Sequence, residues 1–174
     1  MLLRSLAGPA EVRAEGRTLF GLAAPFNSET SLYGGREVIR PGAFKRSLAD
    51  GGDILALADH NPAAVLARTR GGSLKLEETS RGLAFSFPAP QTTTGNDALE
   101  LVRSGLAGGM SFGFLTRQQR VTGDLRELLD VDLREISLVS SWPAYGDTQV
   151  SARARRTSLQ DIRMRLKLRI FDNG

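Results

Sequence analysis

The sequence predicts a mainly β protein with a few helices, whose six or seven short strands form a compact, closed or partly closed β-barrel. Two observations favour this fold class. Short apolar runs alternate with turn residues such as "RGG" and "SRG" through residues 17–90, as in a protein built from short strands. Only residues 91–109 carry a clear helical pattern. A barrel is then the natural arrangement, because closure hides the edges of short strands.

The first half of the chain predicts strands separated by turns. The run "RTLFGLAAPFN" predicts a strand at about 17–24, and "REVIRPGAF" predicts a short strand that Pro41-Gly42 ends. The segment "GAFKRSLAD" indicates one or two helical turns. The run "DILALADH" is typical of a strand buried on both faces. The pieces "AVLART", "SLKLEET" and "GLAFSFPA" predict a meander of three strands.

The second half begins with a short amphipathic helix in "QTTTGNDALELVRSGLAGG". We expect Asn96 to cap its N-terminus, Asp97 and Glu100 to lie in its first turn, and the Gly-Gly pair to end it. Two or three strands follow in residues 110–150, with a turn at residues 122–124.

Charge and composition indicate one domain with a basic tail. The 174 residues are 41% hydrophobic and 24% charged, which suits a single globular core. Of the net charge of +4, residues 151–174 carry +5, which leaves −1 for residues 1–150. We therefore expect a domain at 1–150 and a basic C-terminal tail at 151–174. No apolar run reaches the roughly 20 residues of a membrane span, and the N-terminus is a poor signal peptide.

Residue counts exclude several classes of site. The chain has no cysteine, so it has no disulfide, no thiolate nucleophile and no cysteine-ligated zinc. With a single histidine, a histidine-rich metal site is excluded as well. We expect chemistry without a metal or cofactor.

The single histidine, His60, stands where the "DILALADH" strand meets a turn. Histidine exchanges protons near neutral pH, so this residue is a candidate general base. Taken alone, a structural histidine with satisfied hydrogen bonds is the more common interpretation.

The candidate nucleophile is Ser111 in "AGGMSFGF". Gly109 and Gly113 flank it, and their backbone N–H groups are candidates for an oxyanion hole. Strand alternation would place Ser111 and Gly113 on one face of the strand and the large apolar residues Met110, Phe112 and Phe114 on the other face. Ser111 would then lie in an open pocket. A small residue beside a tight turn is the alternative interpretation.

The candidate acid is Glu135 in "VDLREISLV". If this segment is a strand, alternation places Glu135 in one largely apolar row, and an unpaired charge there is costly. That row consists of Val131, Leu133, Glu135, Ser137 and Val139. A histidine N–H is a suitable partner for this carboxylate, and an arginine is the alternative partner. Asp132, Asp59 and Asp53 are rival acids.

These pieces together resemble the prohead maturation proteases of tailed phages. The resemblance runs over about residues 17–150, from "LFGLAAPFN" through "EVIRPGAFKRSL", "LADHNPAAVLART" and "GLAGGMSFGF" to "LREISLVSSWPAY". It implies a fold similar to that of the herpesvirus assembly proteases, with His60 and Ser111 as catalytic residues and Glu135 as the third member. Trp142 is bulkier than the resemblance leads one to expect before the Pro-Ala pair.

The resemblance also implies a function. We expect a serine endopeptidase that cleaves the major capsid protein or its scaffolding segment, and itself, inside the assembling prohead in the bacterial cytoplasm. A homodimer is compatible with this function, and related gene transfer particles are an alternative source to a true phage. The basic tail then docks on the capsid, is removed by self-cleavage, binds packaged nucleic acid or has no role.

Two other function classes remain open. A non-catalytic assembly factor on the same fold would guide capsid subunits without cutting them. A nucleic-acid-binding barrel is disfavoured, because aromatic residues are 6% of the chain and residues 1–150 are nearly neutral.

Overall fold

The computed structural model of the protein describes residues 2–5, 12–32, 34–107 and 109–140. These residues are mainly β with two helices, as predicted. Their elements are β1 Leu2–Ser5, β2 Val12–Glu15, β3 Thr18–Pro25, β4 Thr30–Leu32, β5 Gly35–Ile39, α1 Lys45–Ala49, β6 Leu55–Ala58, β7 Asn61–Arg68, β8 Lys75–Glu78, β9 Gly82–Pro88, α2 Thr93–Arg103, β10 Gly109–Thr122 and β11 Leu125–Val139. The predicted domain boundary at residue 150, the basic tail and Trp142 lie outside the described residues.

The described strands form two sheets that share one apolar core. The larger sheet has seven strands in the order β1-β10-β11-β5-β4, and β6 and β7 extend it beside the second half of β11. The smaller sheet has the order β2-β3-β9-β8. Buried residues of both sheets and of α2 form one contiguous cluster. Within the described residues neither sheet closes on itself, so the predicted barrel is not confirmed.

The predicted three-stranded meander is wrong, although its three strands exist. β7 pairs with β6 in the larger sheet, whereas β8 pairs with β9 in the smaller sheet. Short local turns decide this pairing, because Asp59-His60 joins β6 to β7 and residues 79–82 join β8 to β9. The segment between β7 and β8 therefore passes from one sheet to the other.

Helix α2 begins earlier than the sequence predicts. Thr92, and not Asn96, is the N-cap: it has extended backbone angles, and its side-chain oxygen accepts from the N–H of Gly95 at 3.1 Å. Because the helix starts at Thr93, Asp97 and Glu100 lie beyond its first turn. The Oδ1 atom of Asn96 instead accepts a hydrogen bond from Arg17.

One edge of β11 is covered along most of its length by a β–α–β crossover. β5 pairs with its first half and β6 with its second half, both in parallel. Between β5 and β6, α1 and the turn before it supply the acceptors for the backbone of β11. The carbonyl of Ala43 accepts from the N–H of Val131, and the hydroxyl of Ser47 accepts from the N–H of Leu133. This crossover carries the end of β6, and with it His60, to the second half of β11.

A β-bulge at Arg134 interrupts the antiparallel pairing of β10 with β11. Gly113 lies opposite Glu135, but the next residue of β10, Phe114, lies opposite Leu133, so exposed Arg134 is the extra residue. Because a side chain changes face with every residue, the bulge reverses which residues of β11 face the core. Leu133 lies opposite core Phe114, whereas Glu135 lies on the other face.

The predicted row from Val131 to Val139 is therefore split. On one face of the hairpin, Phe112 lies opposite Ile136 and packs its ring 5.2 Å from that of Phe114. On the other face, Ser111 lies opposite Ser137 and Gly113 lies opposite Glu135. Large apolar residues thus face the core, while serines, glycine and a carboxylate share the opposite face.

Candidate active site

The turn that carries His60 has an unusual backbone. Asp59 and His60 are the two central residues of a tight hairpin, since Ala58 pairs directly with Asn61. Both have positive φ, at 50° and 58°, as a type I′ turn requires. Glycine is preferred at such positions, and a β-carbon there costs about 1–2 kcal/mol. A histidine held at this cost is the kind of backbone outlier that clusters at functional sites.

Asp59 anchors this turn to the end of β11. Its carboxylate accepts from the backbone N–H of Ser140 at 2.7 Å and from the hydroxyl of Ser140 at 2.9 Å. Its own N–H donates to the carbonyl of Leu138. These three hydrogen bonds hold the turn beside the strand that carries Glu135.

His60 and Glu135 are in direct contact. The Nδ1 atom of His60 lies 2.7 Å from Oε1 of Glu135. The histidine side chain is 21% exposed and the glutamate side chain 5% exposed, so the contact lies at the edge of the interior. An N–H donates and a carboxylate accepts, so the proton of the neutral ring is assigned to Nδ1 and Nε2 can accept another.

A second donor completes the surroundings of the carboxylate. The hydroxyl of Ser137 donates to Oε2 of Glu135 at 2.5 Å. Ser137 is not among the residues predicted from the sequence to form the site. Its position two residues after Glu135 was the available signal, since residues i and i+2 of a strand share a face.

Ser111 shares this face through the strand register. It lies directly opposite Ser137 on β11 and opposite Ser5 on β1, and the pairing from Gly109 to Gly113 is uninterrupted. Because Ser111 and Ser137 are directly opposed on antiparallel strands, their side chains share a face, with β-carbons about 5 Å apart. Contrary to the expected open pocket, Ser111 is completely buried.

The two glycines that flank Ser111 differ in their surroundings. Gly113 lies between Leu3 of β1 and Glu135 of β11. Gly109 is the first residue of β10, with φ at 141°, and pairs with Val139 of β11. The pairing of β1 covers Ser111 to Phe114 and stops short of Gly109.

The rival acids have other partners. Asp132 pairs with Arg134 and with Arg117. Asp53 accepts from Arg68, and this hydrogen bond holds the pKa of Asp53 below its usual range. Asp59 binds Ser140, as described above, and so belongs to the turn that positions His60.

The described residues contain no group of three or more histidine, cysteine, aspartate or glutamate side chains arranged to hold a metal ion. Within the same residues, neither helix is long and apolar enough to cross a membrane.

Comparison with known proteins agrees with this fold. The structure is similar to that of the capsid assembly protease gp21 of bacteriophage T4, with a TM-score of 0.54 and 10% sequence identity, over 81% of this chain and 96% of that chain. At this identity the likeness shows the fold alone. No curated protein is significantly similar to the chain in sequence. The family model of the caudovirus prohead serine proteases matches residues 8–163, and the chain therefore belongs to that family.

Proposed function

We propose that this prohead protease cleaves the major capsid protein or its scaffolding segment, and itself, with a triad of Ser111, His60 and Glu135. The observation that carries the triad is the 2.7 Å contact between His60 and Glu135, made by a histidine on a strained turn. Family membership supports a serine protease that acts in capsid maturation. The strand register, which places Ser111 on the face of Glu135, supports it as the nucleophile.

The proposed roles are those of a serine protease triad. Nε2 of His60 takes the proton of the Ser111 hydroxyl as its oxygen attacks the peptide carbonyl. Glu135 holds the ring through Nδ1 and stabilises the imidazolium that forms. His60 then donates the proton to the leaving amine, and the acyl-enzyme is hydrolysed by water in a second round. No step requires a metal or cofactor.

Backbone N–H groups near Ser111 stabilise the oxyanion in this proposal. Gly109 is the stronger of the two candidates, because the pairing of β1 with β10 ends before it, whereas Gly113 is enclosed between two paired strands. A donor committed to a strand ladder is not available to a substrate oxygen, and Gly109 is paired on the β11 side only.

The complete burial of Ser111 adds one requirement. A substrate carbonyl reaches the hydroxyl only after the chain around it moves, so we propose that activity begins when the protein is enclosed with its substrate in the assembling prohead. Assembly and dimerisation are both suitable triggers. The same burial favours the second candidate function, a non-catalytic assembly factor on this fold.

Co-expression with the candidate substrate, the major capsid protein of the same particle, separates the two functions. We expect intact masses to show a defined piece lost from the capsid protein with wild type and with Ser86→Ala, but not with Ser111→Ala. Ser86 is a control distant from the site, since it is a half-buried strand serine on β9 of the smaller sheet. If particles form and every protein stays intact with wild type, the assembly factor is the better description.

A further inference from the structure

The Glu135 carboxylate is held by two different donors, one on each oxygen. His60 Nδ1 contacts Oε1, and the Ser137 hydroxyl donates to Oε2. Each contact is short enough for a charge-assisted hydrogen bond. The triad of the proposed function uses only the first of them.

Ser137 is in a position to hold the carboxylate rigidly. It is completely buried, and its backbone pairs with Ser111 on one side and with Leu57 of β6 on the other. A backbone fixed by ladders on both sides leaves the hydroxyl little freedom beyond rotation about one bond. The donor is therefore prearranged for Oε2.

A second donor matters because the terminal torsion of a glutamate is soft. This sp³–sp² torsion has a broad profile, so a carboxylate held at one oxygen can rotate and swing the other. With Oε2 held, Oε1 stays directed at the imidazole, and the ring keeps one tautomer and one orientation. A misplacement of about 1 Å at such a base costs on the order of 100-fold in rate.

We propose that Ser137 is a positioning residue that holds Glu135, and through it His60, in the orientation that proton transfer from Ser111 requires. This inference rests on the proposed function. In this proposal Ser137 acts through Glu135, to which its hydroxyl donates, and not through the substrate. Loss of its hydroxyl should therefore lower kcat and leave KM unchanged, because it alters the orientation of the base and not the contacts with the peptide.

The kinetic test uses Ser137→Ala in the full chain, with Ser86→Ala as control. Loss of a hydrogen bond to a charged group should lower kcat about 10- to 100-fold while KM stays within about twofold. Ser137→Thr, which retains the hydroxyl, should recover most of the loss. In a Glu135→Gln background the further effect of Ser137→Ala should shrink to less than about threefold, since residues that act as a unit are not additive.

A spectroscopic test needs no substrate. Because His60 is the only histidine, a protein without a histidine tag gives a single imidazole spin system in NMR. Ser137→Ala should shift the Nδ1 proton resonance of His60, and Ser86→Ala should leave it in place.

The two tests separate the inference from the function on which it rests. An unchanged imidazole spectrum in folded Ser137→Ala overturns the positioning role, and so does wild-type kcat. Wild-type cleavage by Ser111→Ala overturns the proposed function instead. If the isolated protein is inactive, the imidazole spectrum still decides the role of Ser137.

Discussion

The two ends of the β10–β11 hairpin each carry a buried glutamate, and the two glutamates have different hydrogen-bond partners. At the turn end, where residues 119–122 pair with residues 125–128, Glu127 accepts from Arg40 at 2.7 Å and lies 3.4 Å from Arg120. At the site end, where residues 109–113 pair with residues 135–139, Glu135 contacts His60 and Ser137 instead.

The difference lies in what each partner can do with a proton. Arginine keeps its charge at any ordinary pH, so the pair at the turn end is a permanent ion pair suited to structure. The hydrogen bond from Arg40, aided by its charge, holds the pKa of Glu127 below its usual value of 4.5. Histidine can take up and release a proton, so the pair at the site end is suited to catalysis. Two glutamates of one strand are thus a matched comparison.

The largest expected effect is on catalytic activity, which should fall when Glu135 is replaced but not when Glu127 is replaced. Glu135→Gln should lower kcat/KM about 10³- to 10⁴-fold, because an amide neither holds the required tautomer nor stabilises the imidazolium. Glu127→Gln should stay within about twofold of wild type. Cleavage of the capsid protein, followed by mass spectrometry, measures both. Equal losses in the two variants would show that the assignment of roles by partner is wrong.

An intermediate effect concerns the two tight turns. His60→Gly should be about 1 kcal/mol more stable than His60→Ala, because both remove the imidazole but only glycine relieves the positive φ. In the turn between β10 and β11, Gly123 has φ at 60°, and an added β-carbon there would meet no atom within 4 Å.

Gly123→Ala should therefore cost about 1 kcal/mol through backbone strain alone. Urea unfolding measures all three variants, and both His60 variants should be inactive. Equal stability of His60→Gly and His60→Ala would argue against strain in the turn that carries His60.

The smallest expected effect is a pH dependence at the turn end. Because the folded-state pKa of Glu127 is lowered, its ionised form adds stability that is present above pH 4.5 and is lost as the pH falls through the folded-state pKa. The advantage of wild type over Glu127→Gln should therefore shrink as the pH is lowered from 7 to 3. The stability advantage of wild type over Arg40→Met should shrink over the same pH range. A constant difference across this range would contradict the ion-pair assignment.

Local signals in the sequence were sufficient to predict most strands and to identify two candidate catalytic residues. Turn residues divide the chain at the places where strands end, as at residues 122–124. His60 was singled out because it is the only histidine, and Ser111 because glycines flank it. These features are encoded within a few neighbouring residues, so they can be recognised without knowing which strands pair. The roles of His60, Ser111 and Glu135, and of Gly109 and Gly113, remain predictions.

The tertiary structure alone decided which of these residues share a face. Strict alternation placed Glu135 in one row with Leu133, but the bulge at Arg134 turns Glu135 to the face of Ser111 and leaves Leu133 in the core. A bulge arises from pairing with another strand, so alternation within one strand does not reveal it. The contacts of Asp59 with Ser140 and of Ser137 with Glu135 depend on long-range pairing in the same way. The sequence by itself determined the strands and the chemical groups, whereas the register between distant strands decided which groups share a face, because side-chain direction depends on pairing.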